Sequence, residues 1–144
     1  MTILPHIPAR RAPLRQDERG SLLVEAAFAV PLLVSLLFGL LIYGSWFMAA
    51  HCIQQAANDA ARTAVAGLDA AERRTLVDTS VAASLAGAAT VRAANVTVST
   101  SLNQSYYTVT LDYDLTTVPL FRAILFPLPA AQIRREAVVR LTAV

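Results

Sequence analysis

Residues 26–50 read AAFAVPLLVSLLFGLLIYGSWFMAA and contain no charged side chain. A helix that crosses a bilayer needs about 20 predominantly apolar residues, so this stretch is long enough to span a membrane. Its C-terminal part carries Tyr43, Trp46 and Phe47, and aromatic rings are enriched at the bilayer–water boundary. The stretch therefore predicts a transmembrane segment at about residues 26–47.

Charged residues in front of this stretch predict its orientation. Arg10, Arg11, Arg15 and Arg19 all precede it, and positively charged flanks stay on the cytoplasmic side. The sequence therefore predicts a single-pass protein with a cytoplasmic N-terminus and an extracytoplasmic C-terminal part. A cleaved secretory signal peptide is the competing interpretation, but its apolar region would be shorter than this one.

The composition argues against several classes of protein. Of the 144 residues, 56% are hydrophobic and 15% are charged, whereas soluble domains carry about 25% charged residues. All 12 basic residues are arginine, and the eight in residues 21–144 are balanced by eight acidic residues, which predicts no nucleic-acid partner. One cysteine, two histidines and the lack of phosphate-loop or nucleophile motifs predict no metal, no cofactor, no small-molecule substrate and no enzymatic activity.

Glu25 lies just inside the apolar stretch and needs an explanation. Insertion scales assign about 2.5–3.5 kcal/mol to an Asp at the centre of a membrane helix. One interpretation places Glu25 at the cytoplasmic interface, where it stays solvated. In the other, cleavage between Gly20 and Ser21 creates an amine at Ser21, and this amine pairs with Glu25 of a neighbouring helix.

These residues resemble a known family. Arginines, a glycine, four residues and a glutamate inside an apolar helix resemble the prepilin-peptidase signature of type IV pilins. Together with Pro31, the leucine-rich run and QQAANDAARTA at residues 54–64, they make residues 15–66 similar to the TadE-like minor pilins of tight-adherence (Tad/Flp) pilus systems. Ala26 departs from the family, which usually has an aromatic residue directly after the glutamate.

The resemblance implies a function and a location. It implies that residues 1–20 are a basic leader, that a prepilin peptidase cleaves at Gly20–Ser21, and that the protein resides in the bacterial inner membrane or the pilus. The C-terminal domain would then be periplasmic. The implied partners are the peptidase, other pilins, inner-membrane components of the Tad pilus and the lipid bilayer. The alternative is a bitopic membrane protein whose small periplasmic domain binds a ligand or partner and which is not processed as a pilin.

Three further residues of the apolar stretch are candidates for helix packing. Pro31 removes one helical hydrogen bond and can kink the helix, so it acts as a hinge or is simply tolerated in a membrane helix. Ser35 and Gly39 form a small-x-x-x-small pair, which allows another helix to approach closely.

The first helix is predicted to cover residues 21–66, with Gly67 as its C-terminal cap. Asp69 and Glu72 resemble a capping box that starts a second, amphipathic helix ending near Thr90. Its apolar positions are Val77, Val81, Leu85 and Ala88.

Alternating apolar and polar residues after the second helix predict a β-hairpin and a third strand from Gln132 to Thr142, for which an edge position is one interpretation. The fold class is therefore α+β and pilin-like: a long transmembrane helix, a second helix and a small antiparallel sheet of about three strands. Residues 67–144 would form a small extracytoplasmic domain.

Two apolar features of the C-terminal part leave alternatives open. The very apolar segment at residues 118–130 is either a lid over the small core or a contact surface for another pilus component or the membrane. A stripe of small side chains at the end of the first helix is either a core face or a seam between subunits, and consists of Ile53, Ala56, Ala57, Ala60 and Ala64.

Overall fold

The computed structural model describes residues 18–122 and 130–141. Within these residues the chain forms two α-helices and one antiparallel sheet of three strands, which confirms the predicted α+β fold. The elements are α1 (Glu18–Ala64), α2 (Ala70–Ala86), β1 (Val96–Asn103), β2 (Tyr106–Asp114) and β3 (Gln132–Arg140). The leader before residue 18 and residues 123–129 of the apolar segment lie outside the described residues.

The chain divides into two compact units, residues 1–36 and 37–144. The described part of the first unit is the N-terminal part of α1. The second unit contains the rest of α1, α2 and the whole sheet.

The end of α1 comes two residues earlier than the sequence predicts. Val65, Ala66 and Gly67 donate their backbone N–H groups to carbonyls three residues back, at 3.1–3.2 Å. This tighter i→i+3 pattern is a common way to satisfy the last carbonyls of a helix. The chain therefore leaves α1 through a short tightened turn.

Gly67 is not the left-handed cap that the sequence predicts, because no described glycine has a positive φ. Its missing side chain matters for a different reason. A Cβ at this position would lie 2.6 Å from Cγ and 2.9 Å from the backbone N of Arg73. Gly67 therefore allows the first turn of α2 to approach the end of α1.

The start of α2 confirms the predicted capping box. The Asp69 carboxylate accepts the Glu72 N–H at 2.8 Å, and the Glu72 carboxylate accepts the Leu68 N–H at 2.8 Å. The first contact satisfies a backbone donor that the first helical turn leaves open, whereas the return contact reaches Leu68, one residue before the N-cap Asp69. The helix ends at Ala86, before the predicted end near Thr90, because Gly87 follows and glycine disfavours helix.

The sheet has the order β1-β2-β3, so β2 is central and β3 is an edge strand, as predicted. The hairpin between β1 and β2 pairs Asn103 with Tyr106. Gln104, the first of its two turn residues, has a φ of 55°, as two-residue hairpin turns require.

One hydrophobic core joins the C-terminal part of α1, α2 and the inner face of the sheet. The stripe from Ile53 to Ala64 is fully buried, which confirms its interpretation as a core face. Phe121 is also in this core, in agreement with the lid interpretation for its part of segment 118–130. The largest fully buried side chains are Tyr113, Ile53, Leu111, Leu115, Ile133, Val77 and Val109.

Candidate functional site: the exposed apolar part of the first helix

The N-terminal part of α1 presents an uninterrupted apolar surface. Every large apolar side chain from Leu22 to Leu41 is exposed, and only 6% of the most apolar 18-residue window of α1 is buried. Among the described residues, α1 is the one helix that is long and apolar enough to cross a membrane. A core helix of a soluble domain would bury such a face, so this surface needs an apolar environment outside the chain.

Gly20 and Ser21, the predicted cleavage site, lie in the first turn of α1, and both are exposed. A Cβ added at Gly20 would meet no atom within 4 Å. The fold therefore gives no packing reason for a glycine at this position.

Glu25 is exposed, one turn after Ser21 on α1. Residues four apart in a helix share a face, so the carboxylate of Glu25 and the position of Ser21 lie on the same side of α1. A new amine at Ser21 would add a full positive charge to the same face.

Pro31 lies inside α1, and the helix continues through it. Proline lacks the N–H that would bond to the carbonyl of residue 27. One turn later, the hydroxyl of Ser35 donates to the Pro31 carbonyl at 2.8 Å. The hydroxyl of Ser35 is therefore bonded within its own helix.

Ser35 and Gly39 share one face of α1 by their i,i+4 spacing. Both are small, so a second helix could lie against this face at short distance. The predicted site residues thus all lie in the N-terminal part of α1. The i,i+4 spacing groups four of them in two pairs, Ser21 with Glu25 and Ser35 with Gly39.

The C-terminal part of α1 also contacts the sheet and α2 through polar groups. Gln54 Nε2 donates to the Glu136 carbonyl of β3 at 3.3 Å. The Thr63 hydroxyl donates to the Ser80 hydroxyl of α2 at 3.4 Å. Neither contact has a sequence signal, because the partners lie far apart in the chain. They help to fix this part of α1 in the globular unit.

Cys52 and His51, adjacent in sequence, have different surroundings. Cys52 is half-buried against the core and acts there as a small packing residue. His51 is exposed, and its Nε2 lies 3.0 Å from Gln55 Nε2. Within residues 18–122 and 130–141, no group of three or more His, Cys, Asp or Glu side chains could hold a metal ion.

Asp112 and Asp114 face outward from β2 and are engaged separately. Asp112 Oδ1 lies 3.8 Å from Arg134 Nε. Asp114 Oδ1 accepts from the hydroxyl and the backbone N–H of Thr116 at 2.7 and 2.8 Å. These hydrogen bonds, that of the hydroxyl above all, lower the pKa of Asp114 from its ordinary value. The two carboxylates therefore belong to a charged, solvated sheet face.

Comparison with known protein families gives a match that lies on α1. The model of the family described as TadE-like protein matches residues 20–62, which confirms the predicted resemblance over nearly the whole of α1. Comparison with curated proteins and with solved structures gives no match. Over residues 20–62 the chain is therefore similar to the TadE-like family.

Proposed function

We propose that the chain is a TadE-like minor pilin or pilus-assembly membrane protein, anchored by α1 in the bacterial inner membrane. A prepilin peptidase removes residues 1–20, and the protein then acts by helix packing in the Tad/Flp pilus machinery, without catalysis of its own. The observation that carries this proposal is the division of one helix into two parts. Its apolar N-terminal part is exposed, while its C-terminal part is packed into a small domain.

The exposed part of α1 supplies a packing surface, and its C-terminal part belongs to the globular domain. A helix with exposed apolar side chains on all its faces is stable in lipid or among similar helices. The partners proposed for this surface are other pilins and inner-membrane components of the Tad pilus. The exposed apolar side chains of α1 support assembly rather than small-molecule chemistry as its role.

The four arginines before the exposed apolar stretch of α1 support an orientation with the N-terminus in the cytoplasm and residues 67–144 in the periplasm. A reporter that is active only after export, fused behind the C-terminus, should therefore be active. A reporter that is active only in the cytoplasm should be inactive at the same place. The opposite pattern would contradict both the pilin role and the alternative of an unprocessed bitopic protein.

Glu25 has a second role in this proposal, besides marking the cleavage site. Its carboxylate pairs with the Ser21 amine of a neighbouring subunit, because a carboxylate in an apolar surrounding is tolerated when it is paired. The shared face of Ser21 and Glu25 also permits pairing within one chain. Assembly of many copies would replace this internal pair by a pair between neighbours.

Processing is the most direct test, and the chain offers a matched control. Gly20 and Gly44 both lie on α1, and at both a Cβ would meet open space. Gly20→Leu should leave the leader attached, because the peptidase must fit the residue before the cleaved bond, whereas Gly44→Leu should be processed normally. The intact mass and the N-terminal sequence of membrane-purified protein measure the result. An unprocessed parent protein would contradict the pilin role and favour the bitopic alternative.

A further inference from the structure

The two edges of the sheet are protected to different degrees. The strand order β1-β2-β3 makes β1 and β3 the edge strands. β3 carries three arginines and one glutamate, and α1 contacts it, since Gln54 Nε2 donates to the Glu136 carbonyl at 3.3 Å. β1 reads VTVSTSLN and contains neither a charged residue nor a proline. Because charges, prolines and covering segments are the usual means of keeping an edge strand from pairing with another chain, β3 is protected and β1 is not.

The hydrogen-bond pattern of the sheet shows which backbone groups of β1 are free. Leu141 donates its N–H to the Ser105 carbonyl at 2.7 Å, and these two residues extend the ladder between β2 and β3. Bonded and non-bonded pairs alternate along an antiparallel ladder, so odd-numbered residues of β2 bond to β3 and even-numbered ones bond to odd-numbered residues of β1. Val98, Thr100 and Leu102 therefore direct their N–H and C=O groups away from β2. Within residues 18–122 and 130–141, no hydrogen bond joins these groups to another segment.

The core is incompletely covered at β1. Val98 and Thr100 are half-buried, while Leu102 is 53% exposed. Leu102 lies opposite Tyr107 of β2, which is 5% exposed, and opposite residues of a sheet share a face. An exposed apolar side chain thus lies on the core-facing side of the sheet, at the same edge as the free backbone groups.

An antiparallel second copy of β1 fits this edge only in registers that place outward-directed residues opposite each other. The two such registers with the longest overlap have either Ser99 or Thr100 opposite itself in the other copy. The register centred on Ser99 needs the N–H of Val96 as a donor, but this N–H already bonds to the Ala93 carbonyl. The register centred on Thr100 uses only backbone groups that are free.

The register centred on Thr100 also matches the side chains of the two copies. On the core-facing side, Leu102 of each copy lies opposite Val98 of the other, and cross-strand apolar pairs stabilise a sheet. On the outer side, Ser99 lies opposite Ser101, so only uncharged polar side chains meet there. The edge is therefore complementary to itself in both its backbone and its side chains.

We propose that two copies of the chain associate through β1, in antiparallel orientation with Thr100 at the centre, so that their two sheets become one continuous sheet. The occupant of the free edge is a second copy of β1, because the β3 edge is unsuitable for the same contact. Two β3 strands would bring their arginines together, and like charges in opposite positions destabilise a sheet. This inference goes beyond the proposed pilus role and depends neither on membrane anchoring nor on leader cleavage.

Disulfide formation between copies tests the register. Ser99→Cys and Ser101→Cys replace exposed side chains, and each is combined with Cys52→Ala, which removes the single native thiol. Positions 99 and 101 form a non-hydrogen-bonded pair in the proposed register, with Cα atoms about 4.5 Å apart, within the range of a disulfide. Identical positions lie diagonally, about 7–8 Å apart, beyond that range.

The two full-length variants are purified in detergent, mixed in equal amounts, oxidised with copper phenanthroline and separated on a non-reducing gel. We expect disulfide-linked dimers from the mixture, and at least about fivefold fewer from either variant alone. Efficient dimer formation by Ser99→Cys alone, or by Ser101→Cys alone, would overturn the proposed register. Absence of dimers from the mixture, with both variants folded by circular dichroism, would overturn the association itself and leave the membrane role untouched, since the reporter fusions test that role separately.

A charge placed on the edge tests whether β1 is the surface that pairs. Leu102→Lys, added to both thiol variants, would direct an ammonium group at Val98 of the other copy, and we expect it to lower the dimer yield at least about fivefold. Val138→Lys is the matched control, because Val138 is 57% exposed on β3, the other edge strand. It should leave the yield unchanged. An unchanged yield with Leu102→Lys, or an equal loss with both lysine variants, would show that the copies associate elsewhere and would overturn the inference.

Discussion

Replacing Ala57 by leucine should destabilise the globular unit even in a single subunit. Ala57 is fully buried within one chain, between Ile53 and Ala60 on the core face of α1. A larger side chain in a well-packed core typically costs about 1–3 kcal/mol. Each kcal/mol lowers the Tm of a small domain by about 4–8 °C, so a cost of about 2 kcal/mol predicts a decrease of about 8–16 °C.

The assay is thermal unfolding of detergent-solubilised protein, followed by near-UV circular dichroism of the buried tyrosines Tyr107 and Tyr113. Asn58→Leu is the matched control, because Asn58 is the next residue on α1 but is exposed. It should change the Tm by no more than a few degrees, since surface substitutions usually stay within about ±0.5 kcal/mol. An Ala57→Leu protein with the Tm of the parent and defective assembly would refute the core assignment and identify the stripe as a seam between subunits.

Three further predictions concern single side chains. If Glu25 pairs with the Ser21 amine of a neighbouring subunit as proposed, Glu25→Ala should be inserted and largely cleaved but should fail to co-purify with other pilus components, because removing one partner of a pair that assembly buries costs about 3–5 kcal/mol. Normal co-purification would eliminate the pairing role. Thr116→Val should raise the pKa of Asp114 in an NMR titration, because the variant lacks the hydroxyl that donates to this carboxylate. In the parent protein, the lowered pKa of Asp114 stabilises the fold at a pH above the unfolded pKa of about 3.9. This stabilisation is lost as the pH falls through the folded pKa. Gly67→Ala should lower the Tm because its Cβ would lie 2.6 Å from a side chain of α2, while Gly87→Ala, in open space, should not.

Local features of the fold could be predicted from the sequence because their physical causes lie within a few residues. The capping box of Asp69 and Glu72 joins groups three residues apart, and the structure confirms it. The alternation from Tyr107 to Leu115 in the sequence matches the buried side of β2 and the end of that strand. The i,i+4 spacing of Ser21 and Glu25 likewise places both on one face of α1.

The role of Gly67 could not be predicted in the same way. A glycine directly after a helix is typical of a left-handed cap, and the sequence contains no sign of the first turn of α2 nearby. The approach of Arg73 to Gly67 depends on how α2 packs against the end of α1. The contact of Gln54 with the Glu136 carbonyl is also invisible in the sequence, because 82 positions separate the two residues.

The extent of the exposed part of α1 shows most clearly what the sequence determines and what only the tertiary structure determines. By itself the sequence determined that the first helix is long enough and apolar enough to cross a membrane, because hydropathy and helical length are properties of consecutive residues. It did not determine where the exposed part of α1 ends, since Leu41 and Ile42 are both large and apolar. Only the tertiary structure separates them, because burial of Ile42 depends on side chains that the fold brings to α1 from distant parts of the chain.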